Sequence, residues 1–172
     1  RYLEALSSYD RIDWTSLERS IGGAANRREV VAVLRRKRGI AYAMIKDLEA
    51  AEREFEAALA LATASRQRVF SNLGFVQMLR GKYPEATRSL ETATRLANDD
   101  FIAELNLAVA HALSRDYPRA KDALDRAREK ARRDQSDDAT VQINKMLIGH
   151  VRGWIQLREN PLYPSLAIDF IR

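Results

Sequence analysis

The sequence predicts an all-α protein made of stacked helix pairs. Three observations predict it: a segment written twice at a fixed offset, apolar residues spaced three and four apart through most of the chain, and a turn sequence at the same place in each copy. Between Phe70 and Ala127 the copies align at an offset of 34 residues. Asn72 pairs with Asn106, Leu73 with Leu107, Gly74 with Ala108, Tyr83-Pro84 with Tyr117-Pro118, Ala86 with Ala120, Leu90 with Leu124 and Ala93 with Ala127. That many coincidences at one offset do not come from composition, and a period of this length fits two helices and their turn.

Composition agrees with one folded domain. At 172 residues, 46% of them hydrophobic, the chain is long enough to bury a sizeable core. Its apolar runs are interrupted by Arg, Glu or Asn and stay short of a membrane span, so no membrane insertion is expected. The absence of cysteine removes disulfides, thiol nucleophiles and thiolate metal sites. Because the chain opens at Arg1, a native start is expected upstream, and the expected location is cytoplasmic. The formal net charge is +5, and it is local. Arg27, Arg28, Arg35, Arg36, Lys37, Arg38 and Lys46 face Glu29 alone within residues 27–46, an excess of +6 that leaves −1 for the rest. A general polyanion binder spreads its cations along a face, so the basic pI is weak evidence for nucleic acid.

In order, Tyr2, Leu3, Leu6 and Tyr9 mark a short amphipathic helix ending near Asp10. A second begins around Asp13, with Thr15 and Glu18 at capping-box spacing, and stops at Gly22-Gly23. Both stand outside the repeat, and their aromatic residues are expected to cover the open end of the stack. Asn26 and Glu29 have capping-box spacing for a long helix running to Ile45. Asp47 caps the next, in which Ala51, Phe55 and Ala58 share a face. A stripe of Phe70, Leu73 and Gly74 follows, then the turn Gly81-Lys82-Tyr83-Pro84, where Pro84 suits a helix start. Asp99-Asp100 caps the helix of the second copy. Outer positions carry mixed charge, as in Glu91 with Arg95, and read as a solvated face. Arg132 to Asp138 reads as a loop. Val141 to Arg158 reads as a long helix with Ile143, Leu147, Val151, Trp154 and Ile155 on its apolar side; Asn160-Pro161 breaks it, and Pro164 to Ile171 forms a short last helix. The expected layout is a single domain: flanking helices over 1–25, repeats over 26–66, 67–100 and 101–133, and C-terminal capping helices over 139–172.

The repeated residues and their turn resemble the tetratricopeptide repeat family. The resemblance implies a right-handed α-solenoid of about three helix pairs, with the first helix of each pair lining a concave groove. Its register places Gly39 and Tyr42 at the small and aromatic positions of the first repeat. Arg35, Arg38, Gln77, Glu104 and His111 depart from it, standing where apolar residues are usual. The groove positions implied are Val33, Arg36, Lys37, Ile40 and Met44 in the first repeat, Arg68, Ser71, Asn72, Phe75 and Leu79 in the second, and Ile102, Leu105, Asn106, Val109 and Leu113 in the third. An asparagine amide both donates and accepts, so Asn72 and Asn106 suit the backbone of an extended peptide. The wall grades from basic to apolar, which predicts a peptide with apolar anchors and an acidic group. Asn72 matches the carboxylate clamp of chaperone-binding members and Arg36 stands for one of its lysines. Ile40, Ile102 and Asn106 replace the other polar or basic members, which disfavours chaperone C-termini.

Signals for chemistry are few. His111 and His150 are the only histidines, and neither has a histidine or carboxylate four residues on. No phosphate-cradling glycine loop, zincin helix or nucleophile elbow is present, and Gly22-Gly23 reads as a helix stop. Four successive helical residues point about 100° apart, so Arg35-Arg36-Lys37-Arg38 does not form one flat patch. The sequence therefore predicts a protein-interaction module without an enzymatic activity or cofactor, of adaptor, assembly-factor or secretion-chaperone type. The alternative is a peptide- or small-ligand-sensing regulatory domain of a larger protein; nucleic-acid binding through the Arg27–Arg38 helix ranks last.

Overall fold

The computed structural model describes residues 2–20, 25–97, 99–135 and 139–159. Among them lie nine helices and no strand: α1 (Tyr2–Asp10), α2 (Trp14–Ser20), α3 (Ala25–Met44), α4 (Leu48–Leu61), α5 (Arg66–Leu79), α6 (Tyr83–Leu96), α7 (Phe101–Leu113), α8 (Tyr117–Arg133) and α9 (Ala139–Glu159). No helix of the described residues is long and apolar enough to cross a membrane. The helices fall into two compact units, residues 1–96 with α1 to α6 and residues 97–172 with α7 to α9.

In the first unit α3 packs on α4, α5 on α6, and both α3 and α4 reach α5. Two glycines set the spacing within the pairs. A Cβ at Gly39 would lie 2.7 Å from the Phe55 ring, and one at Gly74 would lie 2.6 Å from Leu90 Cγ. Phe55 and Leu90 are 1% and 0% exposed, so the missing side chains let each bulky partner sink fully, at roughly 1.5–3 kcal/mol per buried side chain. In the second unit α7 packs on α8, and α9 closes against both. Its interior is Leu107, Ala108, Ala120, Leu124 and Ala127, with Ile148, Trp154 and Ile155 from α9. The α9 stripe thus differs from the expected one: Ile148 is buried and Leu147 is exposed, because the helix turns the Ile148–Ile155 side toward α8. The expected helix at 164–171 lies outside the described residues.

Each pair closes on the same turn. Lys46, Gly81 and Arg115 all have left-handed backbones, with φ of 66°, 75° and 62°. The N–H one residue further on bonds five residues back in each case: Asp47 to Tyr42, Lys82 to Gln77 and Asp116 to His111. This is the Schellman geometry, which satisfies carbonyls the helix end would leave open. Glycine adopts it freely, whereas lysine and arginine adopt it at a cost. Asp47 and Asp100 cap α4 and α7 as expected, accepting from Ala50 N at 3.0 Å and Ile102 N at 2.9 Å. Asp116 does the same for α8.

The two capping boxes expected near the N-terminus form differently. Asp13, rather than Thr15, accepts the Ser16 N–H at 3.0 Å and starts α2. Asn26 lies inside α3, and Glu29 turns away from its own helix start. Its carboxylate takes the N–H groups of Thr63, Ala64 and Ser65 at 2.7, 3.0 and 2.9 Å and the Thr63 hydroxyl at 2.9 Å. It thereby serves the turn into α5, whose Ser65 makes no side-chain cap. Burial works against the Glu29 charge, but the hydrogen bonds from Ser65, Thr63 and Ala64 outweigh it and hold the carboxyl at about 2, against 4.5 ordinarily.

Positions where the repeat pattern wants apolar residues are filled by polar side chains held in ion pairs and hydrogen bonds. Arg35 and Arg38 hold the nearly buried Glu54 at 3.1 and 3.0 Å, and Arg38 also reaches Asp10 at 2.6 Å. Trp14 lies over both guanidiniums, at 4.6 and 5.4 Å from its ring centre. The N-terminal aromatic therefore stacks on cations, its indole N–H donates to the Tyr9 carbonyl at 3.2 Å, and α1 adds the buried Leu6. Glu52, 5% exposed, is held by Arg80 and Lys82, while Gln77 bridges it at 3.4 Å to Ser89 at 2.8 Å. In the second unit Glu104, 4% exposed, meets Arg126 at 3.1 Å and Lys130 at 2.8 Å.

Candidate functional site

The expected groove residues of the first two repeats come together in the first unit. On α5, Arg68, Asn72, Phe75 and Leu79 stand at i, i+4, i+7 and i+11, one continuous face. On α3, Arg36, Ile40 and Met44 stand one turn apart, and α3 touches α5. The two rows make a wall that is basic toward Arg36 and Arg68 and apolar toward Met44 and Leu79. Phe75, Leu79 and Met44 are 41%, 38% and 54% exposed, large side chains without cover among the described residues. Ile40 is half-buried beside them, Lys37 is exposed, and Val33 is half-buried.

The basic end is strained electrostatically. Burial, and then the positive charge of Arg68, push the Arg36 guanidinium below its ordinary pKa. Its Nε is buried and has no hydrogen-bond partner among the described residues, and the Asn72 Nδ2 is in the same condition. No ion pair forms to Arg36 or Arg68 among the described residues, in contrast to Arg35 and Arg38 one helical face away. Arg36 Nε and Asn72 Nδ2 thus lack an acceptor among the described residues, while Arg68, one turn before Asn72, is exposed to solvent.

Ser71 is buried under this face and Leu105 is buried in the second unit. They occupy one register position, which the helix turns toward the interior. Arg36 shares that register in α3, which is why its Nε is enclosed. In the second unit α7 carries Asn106, Ile102, Val109 and Leu113, all half-buried. Asn106 has there the register that Asn72 has on α5. His111 is buried in α7, and His150 is exposed on α9, with Nδ1 3.2 Å from the Met146 carbonyl. Among the described residues no three His, Asp or Glu side chains gather as a metal site.

What sequence reasoning missed lies mostly in side-chain reach. Glu29 and Trp14 act on partners far along the chain, and no local spacing signals that. The buried role of Glu52 did have a signal, since it sits between Ala51 and Phe55 on the apolar side of α4.

No protein-family model and no curated protein matches the sequence. Solved structures do. A complex of the TPR2B domain of yeast Sti1 with pHsp70 is similar over 72% of this chain and 98% of that one, with a TM-score of 0.62 and 21% identity. The first TPR of Spaghetti (RPAP3), bound to the HSP90 peptide SRMEEVD, is similar over 73% and 95%, with a TM-score of 0.58 and 13% identity. PilF of Pseudomonas aeruginosa is similar over 81% of this chain and 65% of its own, with a TM-score of 0.54 and 24% identity. Similarities at these identities speak to architecture, and together with the three helix pairs, their shared left-handed turn and the small residues at the close crossings they give one conclusion: this chain has the tetratricopeptide-repeat fold.

Proposed function

We propose that this chain is a protein-interaction module that takes a peptide segment of a partner against the α3/α5 wall of its first unit. One observation carries the reading: Arg36 feels the charge of the exposed Arg68, Arg36 Nε and the Asn72 amide lack an acceptor among the described residues, and Phe75, Leu79 and Met44 are exposed on the same two helices. A carboxylate placed there would relieve the repulsion between the two guanidiniums and pair their donors. Charge-assisted hydrogen bonds of this kind contribute about 1.5–3 kcal/mol each. The apolar end would take one or two aliphatic or aromatic anchors, and Lys37 and Ile40 would flank the chain. Asn72 pairs with peptide backbone, which makes the wall tolerant of sequence between the anchors. We assign the same kind of contact to Asn106, Ile102, Val109 and Leu113 on α7.

The role that follows is adaptor, assembly factor or secretion chaperone. Two of the similar domains are complexes with chaperone-derived partners, and the peptide on one of them, SRMEEVD, is acidic. That agrees with an acidic ligand, while Ile40 and Ile102 favour more apolar anchoring than such a peptide offers.

Selection from a random peptide display library tests the proposal. Enriched peptides should combine an acidic residue with apolar anchors, and Arg36→Gln with Arg68→Gln should weaken them tenfold or more at low salt. Enrichment of basic or uncharged peptides, or affinity unchanged in that double variant, would remove the proposal.

A further inference from the structure

The second unit has a cleft between α8 and α9 that the peptide-binding reading leaves unused. Its volume is about 390 Å³, within the ~300–1,000 Å³ range of small-molecule sites. The floor is apolar: Leu124 and Ala131 from α8 and Ile148 from α9 are 4%, 7% and 8% exposed. The rim is basic: Arg128 and Arg132 rise from one side, Lys145 and Arg152 from the other, against Asp125 alone. On α8 the arginines stand at i and i+4, and on α9 Lys145 and Arg152 stand at i and i+7, so each helix turns its cations to the same space.

These cations are not equally engaged. Lys145 is held at one end by the Asp134 carbonyl and carboxylate, and Arg132 lies 3.8 Å from Glu129. Arg128 and Arg152 form no ion pair among the described residues, although they face each other's helix across the floor. A second hollow of about 260 Å³ shares Leu124, Asp125 and Arg152 and extends the cleft toward Ile155. Gly149 forms part of the wall, and a Cβ there would meet no atom within 4 Å, so the space beside α9 is open.

We propose that this cleft binds a phosphate monoester with an apolar body, the phosphate between Arg128 and Arg152 and the body on Leu124 and Ile148. Arg128 and Arg152, the rim cations without an ion pair among the described residues, supply the two positive charges that a dianion needs. Guanidinium forks match phosphate oxygens in pairs, and a cleft with an apolar floor concentrates their field. The apolar floor gives no hydrogen bonds to a sugar or peptide backbone, so the rest of the ligand is hydrocarbon or aromatic.

The test uses the full chain and two probes, phenyl phosphate and phosphatidic-acid vesicles, with phenol and phosphatidylcholine vesicles as blanks. NMR follows the Gly149 and Gly153 amides during titration at low salt. Saturable shifts with phenyl phosphate support a free ester as the ligand, and a response confined to phosphatidic acid assigns the same chemistry to a lipid headgroup. Either response should weaken at least tenfold in Arg128→Gln with Arg152→Gln. It should also be lost in Gly149→Leu, which fills the open wall at a helical position where leucine is the better helix former. Neither the double variant nor Gly149→Leu touches Arg36, Arg68 or Asn72, so peptide binding to the first unit should persist in both. No saturable shift with either probe overturns the proposal, and so does binding that survives both variants.

Discussion

Replacing Glu29 by glutamine removes one charge from a turn that four donors converge on. The carboxyl sits at about 2 in the folded protein against 4.5 ordinarily. Converted in full, that difference corresponds to about 3 kcal/mol of stability at neutral pH. The group is partly exposed, and solvent screening brings the expected value to about 1–2 kcal/mol. A carboxyl held low in the native state favours folding above its unfolded pKa. That contribution fades as pH falls through the window from 4.5 to about 2, where the native carboxylate at last takes its proton. Urea unfolding of the parent and Glu29→Gln at a series of pH values from 7 down to 3 measures the difference directly. It should be largest at pH 7 and shrink steadily below pH 4.5. A difference that is independent of pH, or near zero at pH 7, would show that the carboxylate charge is not what holds the α4–α5 turn.

Three further outcomes follow from the packing. Lys46→Gly and Arg115→Gly should each raise stability by roughly 0.5–1 kcal/mol and Gly81→Ala lower it by about 1 kcal/mol, since all three share a left-handed turn; equilibrium unfolding that ranks them otherwise would contradict the shared geometry. Gly74→Ala should destabilise by about 1–3 kcal/mol despite alanine's helix propensity, because its Cβ would meet Leu90 Cγ at 2.6 Å. Much of that loss should vanish in a Leu90→Ala background, which a double-mutant cycle reads. Trp14→Ala removes the ring stacked on Arg35 and Arg38, a contact of ~0.5–2 kcal/mol; α1 amides should exchange faster with solvent while those of α5 and α6 do not change.

The fold was legible because its determinants are local and repeated. Asp47 and Asp100 as caps, and the Tyr-Pro starts of α6 and α8, each declare themselves within a few residues. The left-handed turn was legible only at Gly81, since Lys46 and Arg115 adopt a conformation their side chains do not advertise. Arg35, Arg38, Gln77 and Glu104 looked like departures from the pattern. Their partners Glu54, Glu52, Arg126 and Lys130 stand 16 to 26 residues away, and only the folded chain brings them within reach. Helical spacing puts Arg68, Asn72, Phe75 and Leu79 on one face of α5. It did not give depth: Ser71 and Leu105 fall on the same arc but turn inward, a difference of one helical step. The α8/α9 cleft left no trace in the sequence, because Arg128 and Arg152 stand on different helices with no local spacing to link them.

The buried carboxylates make ionic strength a selective tool. Glu52, Glu54 and Glu104 are themselves withdrawn from bulk solvent, each against two basic side chains, so mobile ions reach these carboxylates poorly. At 1 M salt the screening length shrinks to about 3 Å, and the exposed Lys37, Arg68, Arg128 and Arg152 lose most of their long-range pull. A salt titration should therefore silence both proposed surfaces while the helix pairs stay folded, so that recognition and stability, mixed in any alanine variant, are read apart in a single unaltered protein.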